Sequence, residues 1–325
     1  MKAILFDTPG MEEVLHIGDA PSPALGRADI RIRVRATAVN RADLLQRQGM
    51  YPPPPGASPI LGLECAGEVV EIGAAVTGWR IGDRAMALLP GGGYAEEAVV
   101  HHGCAMPVPA ALTIEEAGAL PEVFLTAFLN LFLLGEVDSG GAALVHGGGS
   151  GVGTASIQLL REAGARCVIT AGSDDKCRRC RQLGADVAIN YREGDFAPKV
   201  RAATDGRGVA VVLDSIGGKY LASNLECLAS EGRLVIIGLM GGAKAEINLA
   251  VLLLRRLRVI GSTLRARSVA DKAQIVSRFW ERFGAALAAG RIKPVIDRVL
   301  PLSEAAEAHR VVQSSAHVGK VVLRV

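Results

Sequence analysis

The run His146-Gly147-Gly148-Gly149-Ser150-Gly151-Val152-Gly153 constrains this chain more than any other segment. An apolar stretch, Ala142 to Val145, precedes it, and Thr154 to Arg161 follows with the composition of a helix. A strand, a glycine-rich turn and a helix in that order turn backbone N–H groups and a helix N-terminus towards a pyrophosphate. In the fingerprint G-x-G-x-x-G the three places fall on Gly148, Ser150 and Gly153, with Gly151 and Val152 between the last two. Ser150 is a departure. The middle place needs a small residue so that phosphate can approach, and serine nearly meets that need while adding a hydroxyl. Glycine-rich runs also occur as surface loops, but the flanking strand and helix favour nucleotide binding.

At 325 residues the chain is expected to form two domains of roughly 150 residues each. Two textures bear this out. Up to about residue 120, short strand-like runs (Ile30 to Val34, Gly67 to Ile72, Arg84 to Leu88, Tyr94 to Val100) are broken by Gly and Pro, as in a β-rich domain. Pro52 to Pro55 make Met50 to Pro59 a stiff exposed loop. From about 140, apolar strands at Ala142–His146, Cys167–Ala171, Val187–Asn190, Val209–Asp214, Arg233–Ile237 and Val259–Thr263 alternate with helices. Those helices are read at Thr154–Ala163, Asp175–Leu183, Lys219–Cys227 and Leu249–Leu254. Near-continuous Val, Ile and Leu imply a parallel sheet covered on both faces, hence an α/β, doubly wound domain with six parallel strands. Leu112 to Leu134 reads as an apolar helical connection, Ala273 to Ala289 as a helix and Gly319 to Val325 as a closing strand. The division is therefore 1–122 with 265–325 for a discontinuous β-rich domain, and 123–264 for the nucleotide-binding domain.

A net charge of +3 gives no case for nucleic acid or an anionic membrane. No apolar run approaches the ~18 residues of a membrane span, and Asp7 and Pro9 cut the N-terminal apolar run short of a signal peptide. Six scattered cysteines fit reduced thiols in a cytoplasmic protein. Cys177-Arg178-Arg179-Cys180 is formally a C-x-x-C whose arginines would lower a thiol pKa, but it lies in a helix with no second pair.

Selectivity between nicotinamide cofactors is legible at the end of the second strand of the doubly wound domain. An NAD site carries an Asp or Glu there for the ribose 2′-hydroxyl. Counting from Gly153 lands on Ser173, with Lys176 one helical turn on, and neither repels a 2′-phosphate. Asp174 and Asp175 complicate the reading, although carboxylates also complement a helix N-terminus. The balance favours NADPH.

Several further segments, in order, carry a family resemblance: Asn40 to Gly49, Tyr51 with Pro53-Pro54-Pro55-Gly56, Leu61-Gly62-Leu63-Glu64, Leu125-Thr126-Ala127, His146 to Gly153, Asn190-Tyr191, Gly238 to Gly242, and Gly319-Lys320. From end to end the chain resembles the zinc-free quinone oxidoreductases of the medium-chain dehydrogenase/reductase superfamily. Within them it is most similar to the branch of the tumour-suppressor-induced enzyme of animals. The resemblance implies a GroES-like catalytic domain, a Rossmann domain and a cleft between them. It also implies NADPH as donor, and quinones or other α,β-unsaturated carbonyls as acceptors. It places Gly148 and Ser150 to Gly153 at the pyrophosphate, and Ser173, Lys176 and Tyr191 around the 2′-phosphate. Thr126 and Gly238-Leu239-Met240 fall on the nicotinamide side, Lys320 reaches the cofactor, and Asn40 and Tyr51 face the acceptor. Read from the residues alone, Tyr51 suits equally a ring packed in a Pro loop, and Asn40 a residue that ties down a turn.

The Cys and His ligands of the zinc enzymes are missing here: Asn40 to Asp43 lacks Cys, and Leu63 stands where those enzymes have His. His101 and His102, adjacent on a strand, would point apart. No metal is expected. Hydride transfer to a quinone needs little beyond placement of the nicotinamide and a hydrogen bond to the acceptor oxygen, which Tyr51 could donate. Reduction of an enoyl thioester or enone, and a structural or regulatory NADPH-binding role, are the alternatives. The edge of the sixth strand suggests a homodimer.

Overall fold

Short strands with one buried face dominate the N-terminal third. The computed structural model describes residues 1–325. Its first elements, β1 (Lys2–Leu5) and β2 (His16–Asp19), pair antiparallel. In β3 (Asp29–Ala38) the alternation of side chains buries Ile30, Ile32, Val34 and Ala36 on one face. There follow α1 (Arg41–Arg47), β4 (Glu64–Ile72), β5 (Arg84–Leu88), β6 (Glu97–His101) and β7 (Ala105–Pro107).

The expected helical connection over 112–134 is three pieces. The first, α2 (Ile114–Gly118), is capped by Thr113, whose Oγ1 accepts from the Glu116 N–H while Glu116 Oε2 accepts from the Thr113 N–H. Pro121 opens α3 (Pro121–Phe128), where its missing N–H costs nothing. A π-helical turn, Leu129–Leu134, completes the segment.

Next come β8 (Ala142–His146), α4 (Gly151–Glu162), β9 (Arg166–Ala171), α5 (Asp174–Leu183), β10 (Val187–Asn190) and α6 (Ala197–Ala203). They are followed by β11 (Val209–Asp214), α7 (Leu221–Cys227), β12 (Leu228–Ile236), α8 (Leu249–Arg255) and β13 (Arg258–Gly261). All six strands pair in parallel in the order β10-β9-β8-β11-β12-β13. That is the doubly wound sheet expected from the sequence, with β8 as its first strand and the crossover point between β8 and β11. Leu144, Val168, Val212 and Leu234 are wholly buried in its core.

The chain closes with α9 (Val269–Ala288), β14 (Ile296–Pro301), α10 (Ala305–Ser314) and β15 (Lys320–Arg324). One seven-stranded sheet runs β14-β15-β3-β4-β5-β7, with β6 on the N-terminal half of β3. The C-terminal strand thus lies between β14 and β3, so the last residues of the chain complete the first domain. Two compact units result, Met1–Leu125 with Leu264–Val325, and Thr126–Thr263.

Candidate active site

In the nucleotide unit, packing explains two of the three fingerprint places. A Cβ on Gly148 would lie 2.8 Å from the side chain of Ile169 on β9, and one on Gly153 would lie 2.6 Å from Gly148 Cα. Both glycines let α4 start hard against the strand ends. Ser150, the departure, caps α4: its Oγ accepts from the Gly153 N–H at 3.0 Å, and the residue itself is exposed. Gly151 and Val152 carry the first N–H groups of α4, which have no partner within the helix.

The second strand ends in a matching arrangement. Ser173 caps α5 by accepting from the Lys176 N–H at 3.3 Å. The Lys176 stem runs past the glycine turn, since a Cβ on Gly149 would stand 3.4 Å from Lys176 Cδ. The Tyr191 hydroxyl lies over Gly172, 2.6 Å from where a Cβ would be. Lys176, Tyr191, Ser173 and the glycine turn are therefore neighbours. The two acids that complicate the cofactor reading are engaged elsewhere: Asp174 accepts from Asn190 Nδ2 at 3.0 Å, and Asp175 pairs with Arg178 and Arg179.

Beneath the turn, His146 is buried against Phe196 and Tyr220, with Nδ1 2.9 Å from Thr170 Oγ1 and Nε2 2.7 Å from Asn224 Oδ1. Burial lowers its pKa to about 4, so the ring is neutral. Asn224 Nδ2 in turn donates to Asp214, which also accepts from the N–H groups of Ile216 and Gly217. This network ties the ends of β8, β9 and β11 to α7. The turn at Gly238-Leu239-Met240 hangs from β11's exit, with the Met240 and Gly241 N–H groups donating to Ser215 O and Ile216 O. Leu239 and Met240 are exposed there. Thr126 sits in α3, partly buried, its carbonyl accepting from Asn130 Nδ2.

The catalytic unit revises two expectations. Lys320, expected to reach the cofactor, is buried, and its ammonium meets Glu64 Oε1 at 2.9 Å, Asn40 Oδ1 at 2.6 Å and Val39 O at 3.0 Å. All three of its N–H donors are engaged within the unit. Asn40, expected to face the acceptor, gives both amide hydrogens to Glu64 Oε1 and Ala38 O. It stands at the start of α1, with its amide between Glu64 and Lys320. A buried ammonium and carboxylate must pair, and the amide bridges them.

Tyr51 is different. The Arg265 guanidinium lies 5.3 Å from its ring centroid and bonds its carbonyl, while also holding Gln46 Oε1 and Pro90 O. The ring is fixed and partly buried, with its hydroxyl making no hydrogen bond within the chain. Burial first, then the Glu122 charge, raises the phenol pKa, so it remains a donor. Asp43, without an assigned role in the sequence, is fully buried. It accepts from the N–H groups of Asn40 (2.8 Å) and Gly62 (3.0 Å) and lies 3.4 Å from the Tyr94 hydroxyl, which faces His309 Nε2 at 3.1 Å. Burial pushes its pKa up to about 6 against those bonds. Asp43 thereby holds the start of α1 to the Gly62 loop. Sequence reasoning missed Glu64 and Arg265, the partners of Lys320 and Tyr51. Only Glu64, within the segment Leu61-Gly62-Leu63-Glu64, carried a signal.

The cysteine and histidine pairs also differ from expectation. Cys177 and Cys180 face inward from α5, and burial raises both thiols, Cys180 to about 12. Arg178 and Arg179 point to solvent and Asp175, so they do not activate a thiolate. His101 and His102 do not point apart. The strand ends at His101, a 3-10 turn begins at His102, and the two rings stack at 4.8 Å. No three His, Cys, Asp or Glu side chains converge as a metal-ligand set.

Residues 26–110 match the alcohol dehydrogenase GroES-like domain family, and residues 151–281 match the zinc-binding dehydrogenase family. The quinone oxidoreductase of Rattus norvegicus is 31% identical over 326 aligned positions, covering 99% of this chain and 97% of that protein. The chain belongs to the quinone oxidoreductases of the medium-chain dehydrogenase/reductase superfamily. Among solved structures of this superfamily, Escherichia coli quinone oxidoreductase complexed with NADPH superposes with a TM-score of 0.87 at 28% identity, with all of both chains covered. An NAD-dependent alcohol dehydrogenase superposes equally well, at 0.87 and 34% identity, again over all of both chains. The GroES-like and Rossmann-like folds follow from these matches and from the two sheets described above. No helix is long and apolar enough to cross a membrane.

Proposed function

We propose that this chain transfers reducing equivalents from NADPH to quinones or related α,β-unsaturated carbonyls, without a metal. The observation that carries the reading is the meeting of Lys176, Ser173 and Tyr191 with the glycine turn at the end of β9, with Asp174 bonded to Asn190 and Asp175 paired with Arg178 and Arg179. An ammonium, a serine and a phenol at that place suit a 2′-phosphate and give an NAD ribose no carboxylate partner. The first N–H groups of α4 at Gly151 and Val152 suit the pyrophosphate, and the Gly238-Leu239-Met240 turn and Thr126 the nicotinamide side. When bound, the dihydronicotinamide supplies a hydride. Tyr51, held by Arg265 and kept protonated by burial, donates a hydrogen bond to the acceptor oxygen as charge develops on it. Asn40, Glu64 and Lys320 brace one another within the same unit.

The test mixes the protein with NADPH and a benzoquinone and follows the loss of reduced-nicotinamide absorbance, with a crotonyl thioester in parallel. Oxidation of NADPH by the quinone, surviving prolonged chelation and without stoichiometric zinc in the purified protein, is the expected result. Turnover of the thioester alone would make the chain an enoyl reductase. Binding of NADPH with no turnover of either acceptor would make it a binding protein.

The same reading pairs two copies through β13. That strand ends the parallel sheet with one side unpaired, Val259 is 41% exposed, and neighbouring α8 exposes Leu249, Leu253 and Leu254. Pairing β13 with its symmetry mate would cover an edge that otherwise invites aggregation.

A further inference from the structure

Pro52 to Pro55 have no N–H groups, so the loop that carries Tyr51 has little means of tying itself down. Inside it the Ala57 N–H donates to Pro54 O at 3.0 Å, and its two ends are held from outside. At the start, Arg265 Nη1 donates to Tyr51 O at 3.3 Å, and at the end Gln46 Nε2 donates to Pro59 O at 2.8 Å. The two anchors are joined, because Arg265 Nη2 donates to Gln46 Oε1 at 2.6 Å.

The Gln46 amide fits this place in one orientation. A guanidinium offers donors alone and a backbone carbonyl accepts alone, so Oε1 must face Arg265 and Nε2 must face Pro59. Flipped, the amide would set donor against donor and acceptor against acceptor. Gln46 is 5% exposed and Arg265 3%, so water does not replace a lost partner. The three acceptors of Arg265 are neutral: this amide, Pro90 O and Tyr51 O. Pro90 O holds Nε and Gln46 holds Nη2, which together set the plane of the guanidinium against the Tyr51 ring. Gln46 is itself placed by α1, whose start Asp43 ties to Asn40 and Gly62.

We propose that Gln46 is a positioning residue of the reaction, aiming Arg265 and, through it, the Tyr51 ring and hydroxyl. The inference rests on the reading of Tyr51 as the donor to the acceptor oxygen. Every contact it uses lies within the compact unit of Met1–Leu125 and Leu264–Val325. Without the amide, a buried N–H of Arg265 loses its acceptor, the guanidinium turns, and the ring that rests on it turns too. A misplacement of about 1 Å near the reacting atoms costs on the order of 10²-fold in rate.

Gln46→Met keeps the length of the side chain and removes both hydrogen bonds, whereas Gln46→Glu keeps an oxygen for Arg265. The first readout is independent of turnover. With ring-labelled tyrosine, the NMR signal of Tyr51 is the one lost in Tyr51→Phe. It should move in Gln46→Met and return close to its wild-type position in Gln46→Glu, with the Tyr94 signal unmoved as the sign of an intact fold. Should Gln46→Met disturb Tyr94 as well, Gln46→Asn, one methylene short of both partners, takes its place. A Tyr51 signal that stays put in a folded variant overturns the proposal, whatever the protein reduces. The second readout is kcat with benzoquinone at saturating NADPH. Gln46→Met should lower it by about 10- to 100-fold with NADPH affinity unchanged, and Gln46→Glu should recover most of the loss. On a Tyr51→Phe background, Gln46→Met should cost less than about twofold, because the hydroxyl it aims is gone. A full loss on that background, no recovery in Gln46→Glu, or a wild-type kcat in Gln46→Met overturns the proposal. A wild type that reduces neither quinone nor enone removes the reaction and the positioning role with it, and the Tyr51 signal then reports on the anchored loop alone.

Discussion

Replacing Lys320 by Met tests the frame of the catalytic unit and the revised place of this lysine together. Lys320 is 3% exposed and Glu64 is 0% exposed, so removing the ammonium leaves a carboxylate in the core. Breaking such a pair from one side costs about 3–5 kcal/mol. Glu64 retains two hydrogen bonds, from Asn40 Nδ2 and from the Glu122 N–H, which favours the lower end of that range. For a unit of this size, ~3 kcal/mol lowers Tm by roughly 6–12 °C, visible in calorimetry and as a lower urea midpoint at unchanged slope. Lys320→Met/Glu64→Gln removes both charges and should recover most of the loss, a coupling that a double-mutant cycle measures. NADPH affinity of the folded single variant, by titration calorimetry, should be unchanged, because the three donors of the ammonium are engaged by Glu64, Asn40 and Val39. A loss under about 1 kcal/mol, a double variant no more stable than the single, or a selective loss of NADPH binding would each refute the reasoning.

Lys176→Ala should weaken NADPH by about 1.5–3 kcal/mol, the range for a charge-assisted contact, and leave NADH nearly unchanged in the same titration; equal losses would sink the 2′-phosphate assignment. His146 is neutral and buried, with a folded pKa of about 4 below its ordinary value of 6.5. Its contribution is complete above pH 6.5 and is lost as pH falls towards 4, so urea stability should decline by about 1.4 kcal/mol per pH unit on its account. His146→Gln should flatten that slope by the same amount, and an unchanged slope would contradict the neutral ring. Light scattering at micromolar concentration should give the mass of two chains, and Ile260→Pro, which removes an N–H from β13, should shift it towards one. A wild-type mass near one chain rules out the dimer.

What the sequence determined by itself was local. The strand, glycine turn and helix at 142–161, the six apolar strands and the absence of a carboxylate at Ser173 are set by neighbours in the chain, where periodicity and turn chemistry act directly. The caps by Ser150 and Ser173 belong to the same class. The break of 112–134 into α2, α3 and a π-helical turn was half legible, since Pro121 marks the start of α3 but nothing nearby announces the π turn. The fate of charged side chains was not legible at all. Lys320 binds Asn40 across 280 positions, and Arg265 reaches Tyr51 across 214. Whether an ammonium meets a phosphate or a buried carboxylate depends on which strands flank it, and the placing of β15 between β14 and β3 decides that. The same holds for Cys180 and Glu122. Arginines beside a thiol are expected to lower its pKa and a carboxyl is ordinarily ionised, yet burial raises the pKa of both groups, because desolvation is a property of the packed core and not of the neighbouring residues.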